Sequence, residues 1–359
     1  MKIAAIIEEF NHWTDEHEHF IRQVRQESQA DLLIAIMSGD FLQQGIPAAK
    51  DKYQRAARAA AAGVDLVIEL PVYCALASPD TYAYAAISML ESLHCVDELY
   101  LPCDTKDPAL LFDVAQFLFI ESRDYQVTIK AYRSGGMSFY DAQARAVGHT
   151  IPAAGEILKN PVNIFAAEYL RALKRIYSMI RPHFIQAPGL SPLSQTDTCA
   201  ADSSYLSALL AGELSHSHKN MDEIYGGTSM LTESICQRKG SYDDFNSFCG
   251  RLKTATRSQA NIRRYMLNLI LDIRKADIAI CRLYGFALYL RVIGHRPEAA
   301  AALDYIRDHT RTPAFISTSD TCSQTDEKRL LDGADPALLM MAAFDRKAHE
   351  IYGRMFSEK

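Results

Sequence analysis

Residues 31–40 read DLLIAIMSGD, six consecutive apolar residues between an acid and a polar Ser-Gly-Asp turn. A run this short and this apolar marks a buried strand, and the turn marks its carboxyl end. Residues 15–29, before it, carry Phe20, Ile21 and Val24 among many charges, as an amphipathic helix does. Residues 2–8, KIAAIIE, form another brief strand rich in β-branched side chains. In the other direction, residues 50–62 are an alanine-rich basic helix that Gly63 can stop. The run GVDLVIELP at 63–71 is a third strand, residues 79–93 are helical, residues 97–102 are a fourth strand, and a helix follows at 108–120. Such alternation with short connectors implies a parallel sheet with helices on both faces, an α/β Rossmann-like fold. Ligands of such sheets bind at the carboxyl ends of the strands. The polar residues there run from Glu8 to His19, Ser38 to Gln44, Glu69 to Tyr73 and Pro102 to Asp104.

From about residue 200 the pattern becomes helical, at 203–212, 221–238, 255–275, 276–294, 296–309 and 335–355. The expected organisation is an α/β domain over 1–195 and a mainly α-helical C-terminal domain over 196–359. Apolar residues make up 48% and charged residues 23%, as in a globular protein, and no 18-residue apolar run is available to span a membrane. The start, MKIAAIIEEF, is too short for a signal peptide and reads as a strand. The eight cysteines form no C-x-x-C pair, which fits reduced thiols in a cytoplasmic protein better than a disulfide framework or a zinc site. A net charge of −6 argues against a surface coated for non-specific nucleic-acid binding and leaves local basic patches open.

Two groups of residues carry candidate chemistry. His12 and His17, with Asp40 across the sheet edge, are a possible divalent-metal set suited to zinc, iron or manganese; the alternative is a solvated, acidic helix start. Segment 251–275 holds seven Lys or Arg and one Asp, with Ile262, Tyr265, Met266, Leu269 and Ile270 at helical spacing. Arg257, Arg263, Arg264 and Lys275 are then candidates for RNA phosphates, or simply a solvated face. Finally, neither a G-x-x-x-x-G-K nor a G-x-G-x-x-G phosphate loop is present, and no G-x-S-x-G elbow points to a serine hydrolase.

Several blocks resemble one family, the bacterial tRNA(Met) cytidine acetate ligases of the nucleotidyltransferase superfamily. Residues 37–48, MSGDFLQQGIPA, resemble its "MSGxFxQRGEPA"; residues 63–71 are the same as its "GVDLVIELP". Residues 159–170, KNPVNIFAAEYL, resemble "PNNILGxEYL", and Leu290-Arg291-Val292-Ile293-Gly294 resembles "ARVLGF". The resemblance implies an enzyme that adenylates acetate with ATP and Mg2+ and acetylates N4 of a wobble cytidine in tRNA. It also implies site positions. His17 matches the second histidine of the family's "NPFHxGH" turn and is the catalytic candidate, stabilising charge on the phosphates. Asn11, Thr14, Asp40, Asn163 and Ser203 fall at nucleotide-contact positions.

The motif residues also depart from the family pattern. Thr14 stands where the first histidine belongs, Glu16 where the glycine belongs, and Asp40 at a family histidine. Pro102 replaces a glycine, and the segments at Gln186–Gly189 and Asp202–Leu206 lack the family's arginines. Two alternatives therefore stay open beside the ligase: a non-catalytic paralogue that binds RNA or protein, and a metal-dependent enzyme built around His12, His17 and Asp40. Oligomeric state is not legible.

Overall fold

A computed structural model of the chain describes residues 1–190, 204–215, 220–312, 314–317 and 333–357. Ser203, Cys199 and Cys322 lie outside the described residues. The first half builds as the apolar pattern dictates. Strand β1 (Ile3–Ile7) is followed by helix α1 (Asp15–Ser28), β2 (Leu32–Ser38), α2 (Lys52–Ala62) and β3 (Leu66–Leu70). A short turn of helix, α3 (Val72–Ala75), leads into α4 (Pro79–Ser92), then β4 (Glu98–Cys103). Helices α5 (Ala109–Ile120), α6 (Arg123–Ser134), α7 (Phe139–Gly148), α8 (Pro152–Ile157) and α9 (Pro161–Ile176) separate β4 from β5 (Arg181–Gln186). Asn160 caps α9 by accepting from Val162 N at 2.9 Å, with Pro161 at the first helical position where its missing N–H costs nothing.

The C-terminal part holds α10 (Ser204–Ser215), α11 (Ser229–Arg238), α12 (Phe245–Arg251), α13 (Gln259–Leu271) and α14 (Lys275–Leu283). It then departs from the expected continuous helix over 276–294. Residues Tyr289–His295 are a strand, β6, followed by α15 (Ala300–His309), β7 (Ala314–Ser317) and α16 (Pro336–Ser357). Strand β6 runs antiparallel along β3 and extends the sheet to seven strands, in the order β5-β4-β1-β2-β3-β6-β7. The physical reason is edge satisfaction: β3 is buried on both faces, and its outer row of backbone groups needs a partner.

One face of the sheet packs Ala4, Ile6, Leu33 and Ala35 against Phe20, Ile21 and Val24 of α1 and Ala56 and Ala59 of α2. The opposite face packs Ile3, Ile7, Ile34 and Ile36 with α4, α9 and the C-terminal helices in a continuous core. Gly294 is required where α2 crosses β6, because a Cβ there would lie 2.8 Å from the Ala56 methyl. Gly294→Ala is expected to cost about 1–3 kcal/mol by overpacking. A urea-unfolding midpoint equal to that of the parent would contradict this packing.

Candidate active site

The chain runs β1, β2, β3 to one side and then returns to place β4 on the other side of β1. This reversal opens a crevice at the carboxyl ends of β1 and β4, where such sheets bind ligands. The turn from Glu8 to His17 fills its floor. Phe10 and His12 both hold positive φ, 48° and 54°, a conformation that costs a non-glycine residue roughly 1–3 kcal/mol and is kept only where the surroundings enforce it. Asn11 supplies part of that enforcement: its Oδ1 accepts from Ala49 N at 2.8 Å, tying the turn to the loop after β2.

His17 sits in the first turn of α1, buried, with its ring orientation fixed. Thr14 N donates to His17 Nδ1 at 3.1 Å, and Thr14 Oγ1 lies 2.9 Å from the same nitrogen. A backbone N–H can only donate, so Nδ1 carries the lone pair and the proton resides on Nε2. That Nε2–H points toward Glu8 Oε1 at 3.8 Å, too far for a hydrogen bond, and remains a donor for an incoming anion. Trp13 stacks on the imidazole, with centroids 5.4 Å apart.

Glu16 spans the crevice. Its Oε1 accepts from Gly189 N at 3.0 Å, just beyond the end of β5, and the carboxylate lies close against the Gly189 Cα, so a side chain there would have to displace it. Glu9 is buried below. Its Oε1 accepts from Ser38 Oγ at 2.7 Å and Gln43 N at 2.9 Å. Burial, only partly offset by those hydrogen bonds, pushes its carboxyl up to about 7.

This shift makes stability depend on pH. Between the ordinary value of 4.5 and about 7, the folded state binds the proton more tightly than the unfolded chain. The contribution is therefore complete below about 4.5 and is lost as pH rises through about 7. At about 1.4 kcal/mol per tenfold difference in proton affinity, the loss is at most about 3 kcal/mol. Glu9→Gln is expected to flatten this part of the stability profile; an unchanged slope in urea titrations from pH 5 to 8 would contradict it.

A second buried polar group lies under the loop after β2. Lys52 Nζ meets both Glu69 oxygens at 2.8 and 2.9 Å, and Arg291 Nη1 lies 3.2 Å from Glu69 Oε2 and 3.2 Å from Asp345 Oδ2. Asp345 Oδ1 accepts from Val72 N at 2.7 Å, and Tyr289 OH donates to Oδ2. Asp40 Oδ2 pairs with His349 Nδ1 at 2.9 Å. Burial would raise the Asp40 carboxyl, but Lys52 and His349 overcome this and hold it near 2.

A family model of HIGH nucleotidyl transferases matches this chain over residues 1–191 and 190–359. The chain belongs to the HIGH nucleotidyl transferase family. Curated relatives include tRNA(Met) cytidine acetate ligases of Acetivibrio thermocellus, 24% identical with 91% of this chain and 90% of the relative covered, and Clostridium kluyveri, 26% identical with 88% and 89% covered. The ligase of a Thermoanaerobacter species is 37% identical over 191 residues, 53% of this chain and 48% of its own length. The crystal structure of Thermotoga maritima TmcAL bound with alpha-thio ATP superposes with a TM-score of 0.86 at 23% identity, covering 99% of this chain and 95% of that one.

Within this HIGH nucleotidyl transferase, the turn Asn11–His17 lies between β1 and α1 at the carboxyl end of β1, and the other sequence candidates divide. Asp40 does not converge with His12 and His17 on a cation site: it is held by Lys52 and His349, and among the described residues no group of three or more His, Cys, Asp or Glu is arranged to hold a metal. Asn163 is a structural clamp, with Oδ1 accepting from Asp104 N and Nδ2 donating to Asp104 O and Ile157 O. Arg263 and Arg264 are buried rather than presented to solvent, because the loop after β2 covers α13. Arg264 Nη1 donates to Gln43 O at 2.8 Å, and Gly45 at φ 71° lies against its backbone. Arg257 is half-buried on Thr228, and Lys275 is exposed. Arg55 does not replace a lost phosphate arginine, since it donates to the carbonyls of Glu9, Ser38 and Gly39.

Proposed function

We propose that this HIGH nucleotidyl transferase joins a small carboxylate, acetate in the first instance, to a cytidine of tRNA(Met) in the cytoplasm, using ATP with Mg2+. The observation that carries the reading is His17 at the sheet's reversal point, its Nε2–H free to donate in a chain that aligns over 91% of its length with a tRNA(Met) cytidine acetate ligase. A carboxylate oxygen would attack the α-phosphorus and expel pyrophosphate, and His17 would stabilise the charge that develops on the phosphoryl oxygens. The cytidine amine would then take the acyl group and release AMP. Magnesium would be held chiefly by the phosphates of the nucleotide. Asn11 and Thr14 would act by holding the turn and the imidazole rather than by touching the nucleotide. Glu16 must leave Gly189 for a triphosphate to lie across the crevice.

The test is acetate-dependent pyrophosphate release from ATP and Mg2+ by the full chain, followed by transfer of labelled acetate to tRNA(Met), with His17→Ala alongside. Release that falls at least tenfold in His17→Ala is the expected result. Absence of release together with no ATP-induced rise in melting temperature overturns the enzymatic reading.

A further inference from the structure

Between α1 and α2 runs an open cleft of about 390 Å³ lined by Glu18, Arg22, Arg25, Arg58, Ala61 and Ala62. The alanine methyls keep the floor low, so the guanidinium groups stand clear of it. Arg25 is already engaged, with Gly63 O and Asp65. Arg58 is held less tightly: it lies 3.9 Å from Glu18 and over the Trp13 ring, and it is largely exposed. Arg22 has no ion-pair or hydrogen-bond partner among the described residues. Arg22, with no partner among the described residues, and Arg58, exposed and only weakly paired, thus face a single carboxylate, and the cleft is locally positive on a chain of net charge −6. On such a chain overall charge repels polyanions, so a local cationic seat is what an anion would find.

Side-chain contacts link the cleft to the turn before α1. The Arg58 guanidinium lies 5.0 Å from the ring centre of Trp13, the single tryptophan of the chain, and Trp13 in turn stacks on His17. Trp13 Nε1 donates to Glu18 Oε1 at 3.1 Å, which fixes the indole at the mouth of the cleft. Between Arg58 and the candidate catalytic imidazole lies the single indole ring of Trp13.

We propose that the α1–α2 cleft is a phosphate-binding site that seats a backbone phosphodiester of the RNA acceptor, with Arg22 and Arg58 as its donors. Planar guanidinium forks match paired phosphate oxygens, and this contact reads charge rather than sequence. The inference rests on the RNA-directed reading above and adds where the acceptor strand is held. A free nucleotide phosphate shares the same chemistry, and the test separates the two sources.

The test is fluorescence anisotropy of labelled tRNA(Met) with the full chain between 50 and 200 mM salt, on the order of the range where phosphate contacts respond most. The double variant Arg22→Gln/Arg58→Gln is compared with the parent and with Arg238→Gln/Lys239→Gln, an exposed basic pair elsewhere. The first variant is expected to lose about tenfold in affinity and to lower the log–log salt slope by about 1.4 to 1.8, which is two phosphate contacts. The control is expected to bind as the parent does, and all three are expected to share a urea midpoint. Unchanged tRNA binding by the first variant, or an equal loss in the control, overturns the proposal. So does a variant that loses an ATP- or phosphate-induced melting shift while keeping tRNA affinity, which would assign the cleft to a free nucleotide. If the parent itself binds no tRNA, the proposal falls with the acceptor half of the reading, and acetate-dependent pyrophosphate release still reports the activation half.

Discussion

Replacing Glu16 by glycine is expected to tighten the binding of ATP with Mg2+ by ten- to a hundredfold. The carboxylate now lies across the crevice at the N-terminus of α1, bonded to Gly189 N at 3.0 Å. Both the backbone N–H and the helix terminus are groups that would otherwise receive a phosphate. The protein's own anion fills that role. Two like charges about 4 Å apart repel by about 4 kcal/mol at an effective dielectric of about 20, and salt and the magnesium ion reduce this to the expected one to two factors of ten. Glycine in the first turn of α1 weakens the helix by up to about 1 kcal/mol, so Glu16→Gln serves as the control that removes charge and keeps size. Calorimetric titration with ATP and Mg2+ gives the result. Equal affinity in parent, Glu16→Gln and Glu16→Gly would show that this carboxylate does not govern nucleotide entry.

Asp345→Ala is expected to destabilise the fold by about 3–5 kcal/mol, the usual loss when one member of a buried ionic group is removed. The side chain is buried and serves three partners, Arg291, Val72 N and Tyr289 OH. Its removal leaves a cation short of a counter-charge and two donors without acceptors, all in the core. Asp345→Asn retains an acceptor for Val72 N and is expected to lose less. The measurement is urea unfolding at neutral pH. A loss below about 1 kcal/mol for Asp345→Ala would mean that water or a rotated side chain compensates, and that the network does not fasten α16 to the sheet.

Residues 2–120 were legible because each strand there is brief and apolar and the helices alternate with them; α6 to α9 were not, nor was β5, whose residues are mostly exposed or half-exposed. Strand β6 was not. Arg291 interrupts its apolar run, and what makes it a strand is the open edge of β3, a partner far away in the chain. The same distance hid the buried ionic group: Glu69 and Arg291 are 222 residues apart, and Asp40 and His349 are 309 apart. Arg263 and Arg264 misled for a related reason. The apolar residues of α13 account for one covered face, and only the loop through Gly45 reveals that the arginine face is covered too. In the candidate site, position 17 was singled out by the resemblance of its turn to the family motif. The tautomer of its ring and the reach of Glu16 to Gly189 were not, since both depend on hydrogen bonds that spacing alone does not fix.

The pairing of β3 with β6 has a consequence for how the chain is made. At the roughly 5–20 residues per second of synthesis, the 222 residues between Glu69 and Arg291 keep β3 without its outer neighbour for roughly 10–40 s. During that interval a strand of sequence LVIEL presents a bare row of amides and carbonyls. Nascent chains stalled between these points, and fragments ending near residue 195, share this sticky edge, so aggregation of the partial product rather than loss of a folded half is the expected fate of premature termination.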